Sequence, residues 1–580
     1  MRIEIEAPLA LTYTSHTLMG FLRVLLCAIL AATAAAQTAP KPVADFVDLA
    51  GKAGFNVTTT FGGKTEKKYI IETTGTGVAI LDYDNDGYPD IYVVNGTTLD
   101  TKSDGPTSKL FHNNHDGTFS DVTDKAGVGL RGWGQGACVG DYDNDGYDDL
   151  YVTFYGKNHL FHNRGNGTFE DVTDKAGVGG SGHDWSSGCA FVDYDRDGKV
   201  DLAVAHYVDF DIATAPKPGE SQSCVWKGVP VMCGPRGLKP ARNVLYHNLG
   251  NGKFEDVSEK AGFQKTVGTY CLSVSPLDYD DDGWPDIYMA CDSTPSILYH
   301  NKHDGTFEDV GISAGVALNE DGREQAGMGS TVADYDGNGK LDIFKTNFSD
   351  DTSTLYQNNG GGSFTDATFA AGLGLHTQYL GWGTMFFDFD NDSWPDLLVI
   401  NGHVYPEVER QHLGSDYEQP RLLYRNLGNG KFADVGDAAG AAFQDRASGR
   451  GLAIADFWND GRQSAVVANM NAPVALLVNQ MKYANHWVAF KTVGTKSNRD
   501  GLGARISVTI GKRVLVDEVR SGSSYDSNND MRVHFGLGEA TKIDSVEVRW
   551  PNGLTETFPA KIDAFNELKE GAGTAVKTSK

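Results

Sequence analysis

Nine residues, Asp82-Tyr83-Asp84-Asn85-Asp86-Gly87-Tyr88-Pro89-Asp90, place carboxylates at positions 1, 3, 5 and 9 of one short loop, with glycine at position 6. Alternate side chains of a tightly turned loop can point at one centre, and glycine admits the positive φ that the turn requires. Four converging carboxylates repel one another unless a cation sits among them. Oxygen donors without Cys or His select a hard ion, and a loose, many-ligand shell favours calcium over magnesium. The pattern recurs at Asp141, Asp143, Asp145 and Asp149, at Asp193, Asp195, Asp197 and Asp201, and at Asp278, Asp280, Asp282 and Asp286. It recurs again at Asp334, Asp336, Asn338 and Asp342, with Asn replacing one Asp, and at Asp388, Asp390, Asp392 and Asp396, with Ser393 replacing the glycine. A seventh copy from Asp456 has Trp458 at position 3 and Ser464 at position 9, and reads as a structural relic that binds little or no metal. Up to six calcium sites are expected.

An EF-hand or a dockerin competes with this reading. An EF-hand needs flanking helices and a bidentate Glu at position 12; the first loop has Val93 there. Each loop is followed instead by a β-type run, such as Ile91-Tyr92-Val93-Val94 or Leu397-Leu398-Val399-Ile400. Acidic turns without metal would account for one loop more readily than for six near-copies.

The elements that position these loops are legible in a second signature. LFHNNHDGTF from Leu110, LFHNRGNGTFEDV from Leu160, LYHNLGNGKFEDV from Leu245, LYHNKHDGTFEDV from Leu298, LYQNNGGGSF from Leu355 and LYRNLGNGKFADV from Leu423 each read as strand, turn, strand. With the strands either side of each acidic loop, every repeat supplies four strands. A period of about 50–60 residues then indicates the blades of a propeller. The last repeat reaches Leu476-Leu477-Val478-Asn479 but lacks its outer strand, and a matching Phe46-Val47-Asp48-Leu49 stands at the other end. The N-terminal strand is expected to complete the seventh blade and close the ring, removing free sheet edges. The fold expected is all-β, a seven-bladed propeller over 37–483 followed by a small β domain over 484–570 and a tail over 571–580.

These loops and hairpins resemble integrin-type FG-GAP (VCBS) repeats. The tail resembles the ASPIC/UnbV module through Asn498-Arg499-Asp500-Gly501-Leu502-Gly503, Val519-Arg520-Ser521-Gly522-Ser523-Ser524-Tyr525, Val533-His534-Phe535-Gly536-Leu537-Gly538 and Val548-Arg549-Trp550-Pro551-Asn552-Gly553. The combination is similar to the cartilage acidic protein family. That resemblance implies an extracytoplasmic calcium-binding protein with an adhesive or binding role, and specifies no ligand. Without the resemblance, alternating runs such as Ile506-Ser507-Val508-Thr509-Ile510 still read as strands. Arg499, Asp500, Arg505 and Arg520 are expected to serve as structural ion pairs more than as a polar site.

Composition bounds the rest. The formal charge is −27 over 580 residues with 70 glycines; we read the acidic excess as ligand supply, and the lack of a basic patch argues against nucleic acid as partner. Met19 to Gln37 reads as a secretory signal, with cleavage after residue 36 and Met19 a candidate true start, which places the mature chain in a secreted or periplasmic compartment. No later stretch is long and apolar enough for a membrane span. Of the cysteines beyond the signal, Cys224 and Cys233 are the first disulfide candidate and Cys271 and Cys291 the second, whereas Cys138 and Cys189 are expected as buried thiols.

In a propeller the strands leaving the acidic loops end on the opposite face. Asn95, His206, Tyr207, Asp292, Asn347, Asn401 and His403 stand at or near those ends and are candidates for a polar ligand ring around a central channel. Turn formation explains many such asparagines equally well. Two insertions, Phe210 to Leu245 and His403 to Pro420, could wall a pocket there if they share a face. Two functions remain open: a calcium-rigidified, non-enzymatic module for glycan or protein ligands, or a sugar-active lyase or dehydratase using His206 or His403 as base near Asp292. No nucleophile elbow, HExxH, phosphate loop or dinucleotide fingerprint is present to favour catalysis.

Overall fold

Seven inner strands, Val78–Leu81, Gly134–Gly140, Ser186–Val192, Cys271–Leu277, Gly327–Ala333, Gly381–Phe387 and Gly449–Ala455, each open a four-stranded antiparallel sheet. The structure is a computed structural model that describes residues 42–101, 105–181 and 184–576; the secretory signal read in the sequence lies outside them. Successive inner strands pack against one another around a complete cycle, so the sheets form a closed β-propeller. Closure comes from the N-terminal strand: Phe46–Asp48 pairs antiparallel with Ala475–Asn479, with Phe46 opposite Asn479.

The inner strands meet at the axis because each carries a residue with little or no side chain at the crossing point: Gly77, Gly136, Gly188, Ser273, Gly329, Gly383 and Gly451. A Cβ on Gly451 would stand 2.6 Å from Gly77 Cα, and one on Gly383 2.6 Å from Arg450 O. Second strands are apolar on both faces because they lie between layers; Asp149–Phe154 is buried throughout. Between neighbouring sheets the contacts are dry, as where Val78, Ile80, Ile91 and Phe111 meet Ala453, Phe457 and Val466.

The asparagine of each hairpin signature is a tie between sheets. Asn163 donates to the Tyr83 carbonyl of the preceding sheet's loop at 2.8 Å, Asn248 to Tyr142 at 2.7 Å, Asn301 to Tyr194 at 2.7 Å and Asn426 to Tyr335 at 2.8 Å. Asn113 of the first sheet reaches Phe457 of the last at 2.8 Å, carrying the tie across the closure.

The C-terminal domain has a three-stranded sheet, in which His486–Val493 runs parallel to Phe565–Lys569 and antiparallel to Val533–Gly538, and a five-stranded one built on Arg505–Ile510 and Ser545–Arg549. Phe490, Ile506, Val508, Val546, Val548 and Trp550 form its core, which is continuous with propeller residues such as Cys138, Tyr142 and Phe191.

Three disulfides are present among the described residues. Cys224–Cys233 and Cys271–Cys291 are the two expected pairs. Cys138–Cys189 corrects the expectation of free thiols. The two stand one residue out of step on neighbouring inner strands that pack side by side, and their Cα atoms lie 5.8 Å apart, within bonding range.

Candidate metal centres and the capped channel

Each acidic loop joins an inner strand to its neighbour, so all of them lie at one end of the propeller. Position 1 shapes the turn: Asp82 accepts the Asp86 N–H on Oδ1 and the Gly87 N–H on Oδ2, both at 3.0 Å. Position 9 anchors the exit: Asp90 accepts from Tyr83 N at 3.2 Å and Asn113 N at 2.8 Å. The turn needs one residue with φ near +56° at position 4, which Asn85 provides, and one near +89° at Gly87. Donor atoms of Asp82, Asp84 and Asp90, and of Asp141, Asp143 and Asp149, converge within 4.8 Å of one another.

These residues fit a hard cation. Asp84 Oδ1, Asp193 Oδ1 and Asp280 Oδ1 are buried and lack any hydrogen-bond partner, and a coordinated ion would satisfy them. Burial pushes the Asp90, Asp149, Asp201 and Asp286 carboxyls up to about 7. A cation in the loop would reverse that by favouring the ionised form.

A ring nitrogen stands beside four of the loops. His112 Nδ1 lies 3.5 Å from Asp84 and 3.3 Å from Asp90; His162, His247 and His300 repeat the arrangement. The reading of the loops as oxygen-only passed over these histidines, although the third letter of each hairpin signature marks them. The fifth sheet has Gln357 there and the sixth has Arg425. In the seventh loop, Asp460 pairs with Arg462, as Asp197 of the third loop pairs with Lys199, and Trp458 and Ser464 stand at positions 3 and 9 where the other loops have Asp.

The C-terminal domain sits on this end and touches all seven loops. Lys491 Nζ is 3.9 Å from Asp82, Asp500 accepts from Asp141 N at 2.8 Å, and Asn498 donates to Asp193 at 3.3 Å. Arg549 pairs with Asp278 and, at 3.2 Å, with Asp281; Arg505 donates to Gly339 O at 2.6 Å. Arg513 donates to Ser393 O at 2.8 Å and Arg532 to Asp456 O at 3.1 Å. Arg505 also pairs with Glu518 at 3.1 Å and Arg520 with Asp517 at 2.7 Å, so the polar residues singled out in the tail serve docking and internal ion pairs. A cavity of about 290 Å³ at this joint is lined by Asp82, Asp148, Lys491, Asp500 and Arg532.

From the same domain, Ser521 to Asn529 runs into the propeller axis. Ser521 Oγ donates to Val139 O at 2.7 Å, Ser524 N to Ser330 O at 2.7 Å, and Asn528 N to Val78 O at 2.9 Å. Tyr525 is fully buried, with its hydroxyl 3.1 Å from Thr74 O and its ring 4.7 Å from Trp382. Ser187 Oγ donates to Asp526 at 2.7 Å. Nothing in the sequence of the repeats announces this plug.

The polar ring expected at the other end is corrected by burial: neighbouring segments, the insertion ending at Pro420 among them, cover these residues and take up their hydrogen bonds. None of Asn95, His206, Tyr207, Asp292, Asn347, Asn401 and His403 is more than 7% exposed. Asn95 accepts from Thr60 N at 2.8 Å, Asn401 donates to Pro420 O at 2.8 Å, and Asn347 donates to Thr352 O. Tyr207 donates to Asp292 at 2.5 Å, while His206 pairs with Ser186 at 3.1 Å and His403 with Ser349 at 3.0 Å. Burial holds both histidines below the ordinary value, His403 at about 3. Only Tyr207 and Asp292 are brought together, and neither histidine has Asp292 as its partner. The insertions do share a face. Trp226 packs 5.0 Å from His403 and 5.7 Å from Tyr405, and Lys227 donates to Leu413 O at 3.2 Å, so they form a lid instead of the walls of an open pocket.

Residues 82–152, 141–204, 236–289, 278–345 and 334–399 match the FG-GAP-like repeat family, and residues 494–575 match the family of ASPIC and UnbV. Cartilage acidic protein 1 of Xenopus tropicalis is 25% identical over 520 residues, covering 85% of this chain and 72% of that protein. The human protein of the same name is 26% identical over 324 residues, 54% of this chain and 46% of its own length. The chain thus spans about half the length of the human relative it matches. Among solved structures, the BP39L lectin from Burkholderia pseudomallei matches 71% of this chain and all of its own at 7% identity and a TM-score of 0.44. An Agrocybe aegerita lectin covers 68% of this chain and 86% of its own at 16% identity and 0.36. With FG-GAP-like repeats in the ring and an ASPIC and UnbV domain on the loops, the chain belongs to the cartilage acidic protein-like family.

Proposed function

We propose that the protein is an extracytoplasmic, calcium-rigidified module that binds a glycan or an extracellular protein without turning it over. The observation that carries the reading is the set of buried carboxylate oxygens without partners on Asp84, Asp193 and Asp280, in loops that a second domain holds in a ring. Three disulfides suit an oxidising compartment.

Calcium at these loops acts on shape. It neutralises repelling side chains where the C-terminal domain docks, and so fixes the two domains as one body. Recognition then belongs to the far end, where the proline-rich insertion pinned by Cys224–Cys233 presents Val225, 42% exposed, and the half-buried Trp226 with exposed Lys227. A rigid aromatic with a flanking cation serves sugar faces and acidic protein surfaces alike. The test is a glycan and extracellular-protein array probed with the mature chain in calcium and in chelator. Binding that is calcium-dependent and lost on deleting Val225–Pro230 supports the reading; binding unaffected by both refutes it.

A further inference from the structure

The sixth acidic loop differs from the first four in what stands beside it. At the first loop His112 keeps 3.3–3.5 Å from the carboxylates of positions 3 and 9, and Asp84 Oδ1 is left without a partner. At the sixth, Arg425 Nη2 lies 2.7 Å from Asp390 and 3.0 Å from Asp392, bridging positions 3 and 5. No oxygen of Asp388, Asp390, Asp392 or Asp396 is among the buried atoms lacking a partner, a feature shared with the second and fifth loops, so it is the guanidinium that sets the sixth apart. Position 3 is also more enclosed: the Asp390 side chain is 6% exposed, against 28% for Asp84 and 32% for Asp143.

The C-terminal domain closes the remaining sides. Arg513 donates to Ser393 O at 2.8 Å while its guanidinium stacks 3.7 Å from the Trp394 ring. Gly536 lies so close that a side chain there would stand 2.0 Å from Asp388 Oδ2. Ser393 itself takes φ +76°, where the loops with full sequences use glycine. A calcium ion needs six to eight oxygens at 2.3–2.6 Å. A planar guanidinium already holds two of those oxygens at hydrogen-bond distance, and it would repel a divalent neighbour.

We infer that the sixth loop carries no metal: Arg425 is a built-in cation that takes calcium's place, and the protein binds calcium at the first five loops only. This rests on the calcium reading of the loops proposed above. The test is the calcium content of the full mature chain, measured by equilibrium dialysis and elemental analysis at saturating calcium, beside single variants. Five ions are expected in the native chain, five in Asp392→Ala, four in Asp145→Ala at the same position of the second loop, and six in Arg425→His, which restores the residue of the first four sheets. Six ions in the native chain, falling to five in Asp392→Ala, would overturn the inference while leaving the calcium reading intact. An Arg425→His chain that still holds five also counts against it, and serves if Asp392→Ala fails to fold. No bound calcium in any chain would instead remove the underlying reading and this inference with it.

Discussion

At the scale of single residues, the loop aspartates are set apart by how much each has to lose. Asp143→Ala removes one ligand from the second loop and is expected to cost that site; at millimolar calcium, with affinity of roughly 10⁻⁴ to 10⁻³ M, this forfeits about 0.4–1.4 kcal/mol of stability. Calorimetry with and without EDTA should show the deficit only where calcium is present. Asp460→Ala in the seventh loop should leave calcium content unchanged, since Trp458 and Ser464 replace two of that loop's carboxylates. His403 gives a separate handle on acid sensitivity. Its Nδ1 accepts the Tyr405 N–H at 3.1 Å and its Nε2 faces Ser349, so the buried ring is neutral. The folded pKa of about 3 lies below the unfolded value near 6.5, so the unfolded chain takes up a proton that the folded one refuses. That contribution is fully present above about pH 6.5 and is lost progressively toward pH 3, by about 1.4 kcal/mol per unit within the window. Denaturant midpoints between pH 7 and 4 should therefore fall less steeply in His403→Gln than in the native chain.

At the scale of elements, the channel segment is the piece whose removal should be felt most. Tyr525 has no exposed surface, and its truncation to Ala is expected to cost about 3–5 kcal/mol, read from urea or guanidinium unfolding. Gly77→Ala should do comparable damage from the opposite side, because its Cβ would stand 1.6 Å from Asp526 O. The repeats announced their strands plainly: period-two patterning, an acidic turn and a hairpin signature all point to the same four-stranded unit. The closing strand was equally legible, as a motif missing at one end and present at the other. The plug was not, because Ser521-Gly522-Ser523-Ser524-Tyr525 has the composition of a surface loop and its burial depends entirely on a ring of small residues contributed by other repeats. For the same reason the strand-end residues looked like a polar rim. Asn95 or His403 in sequence gives no sign of the segments that later cover it, and only the fold reveals that their hydrogen bonds are spent internally.

At the scale of the whole molecule, the C-terminal domain and the ring share one seam, apolar at its centre and polar along the acidic loops, and the calcium we propose would stand beneath its polar part. Removing the ion should raise repulsion among the loop carboxylates and loosen the seam before the ring itself opens. Limited proteolysis in EDTA is expected to cut first near Gln480–Asn485, between the last propeller strand and His486, with the released ring surviving longer; simultaneous loss of both parts would speak against this order. The closing strand has a further consequence for biogenesis. Asp45 N bonds Asn479 Oδ1 across 434 residues of chain, so Phe46–Asp48 must wait, unpaired, until the last strand of the ring has emerged from the ribosome or an export channel. Through that interval the chain exposes an unsatisfied strand at each of its two growing margins, and chaperone attendance or slow export would be felt there more than anywhere in the finished protein.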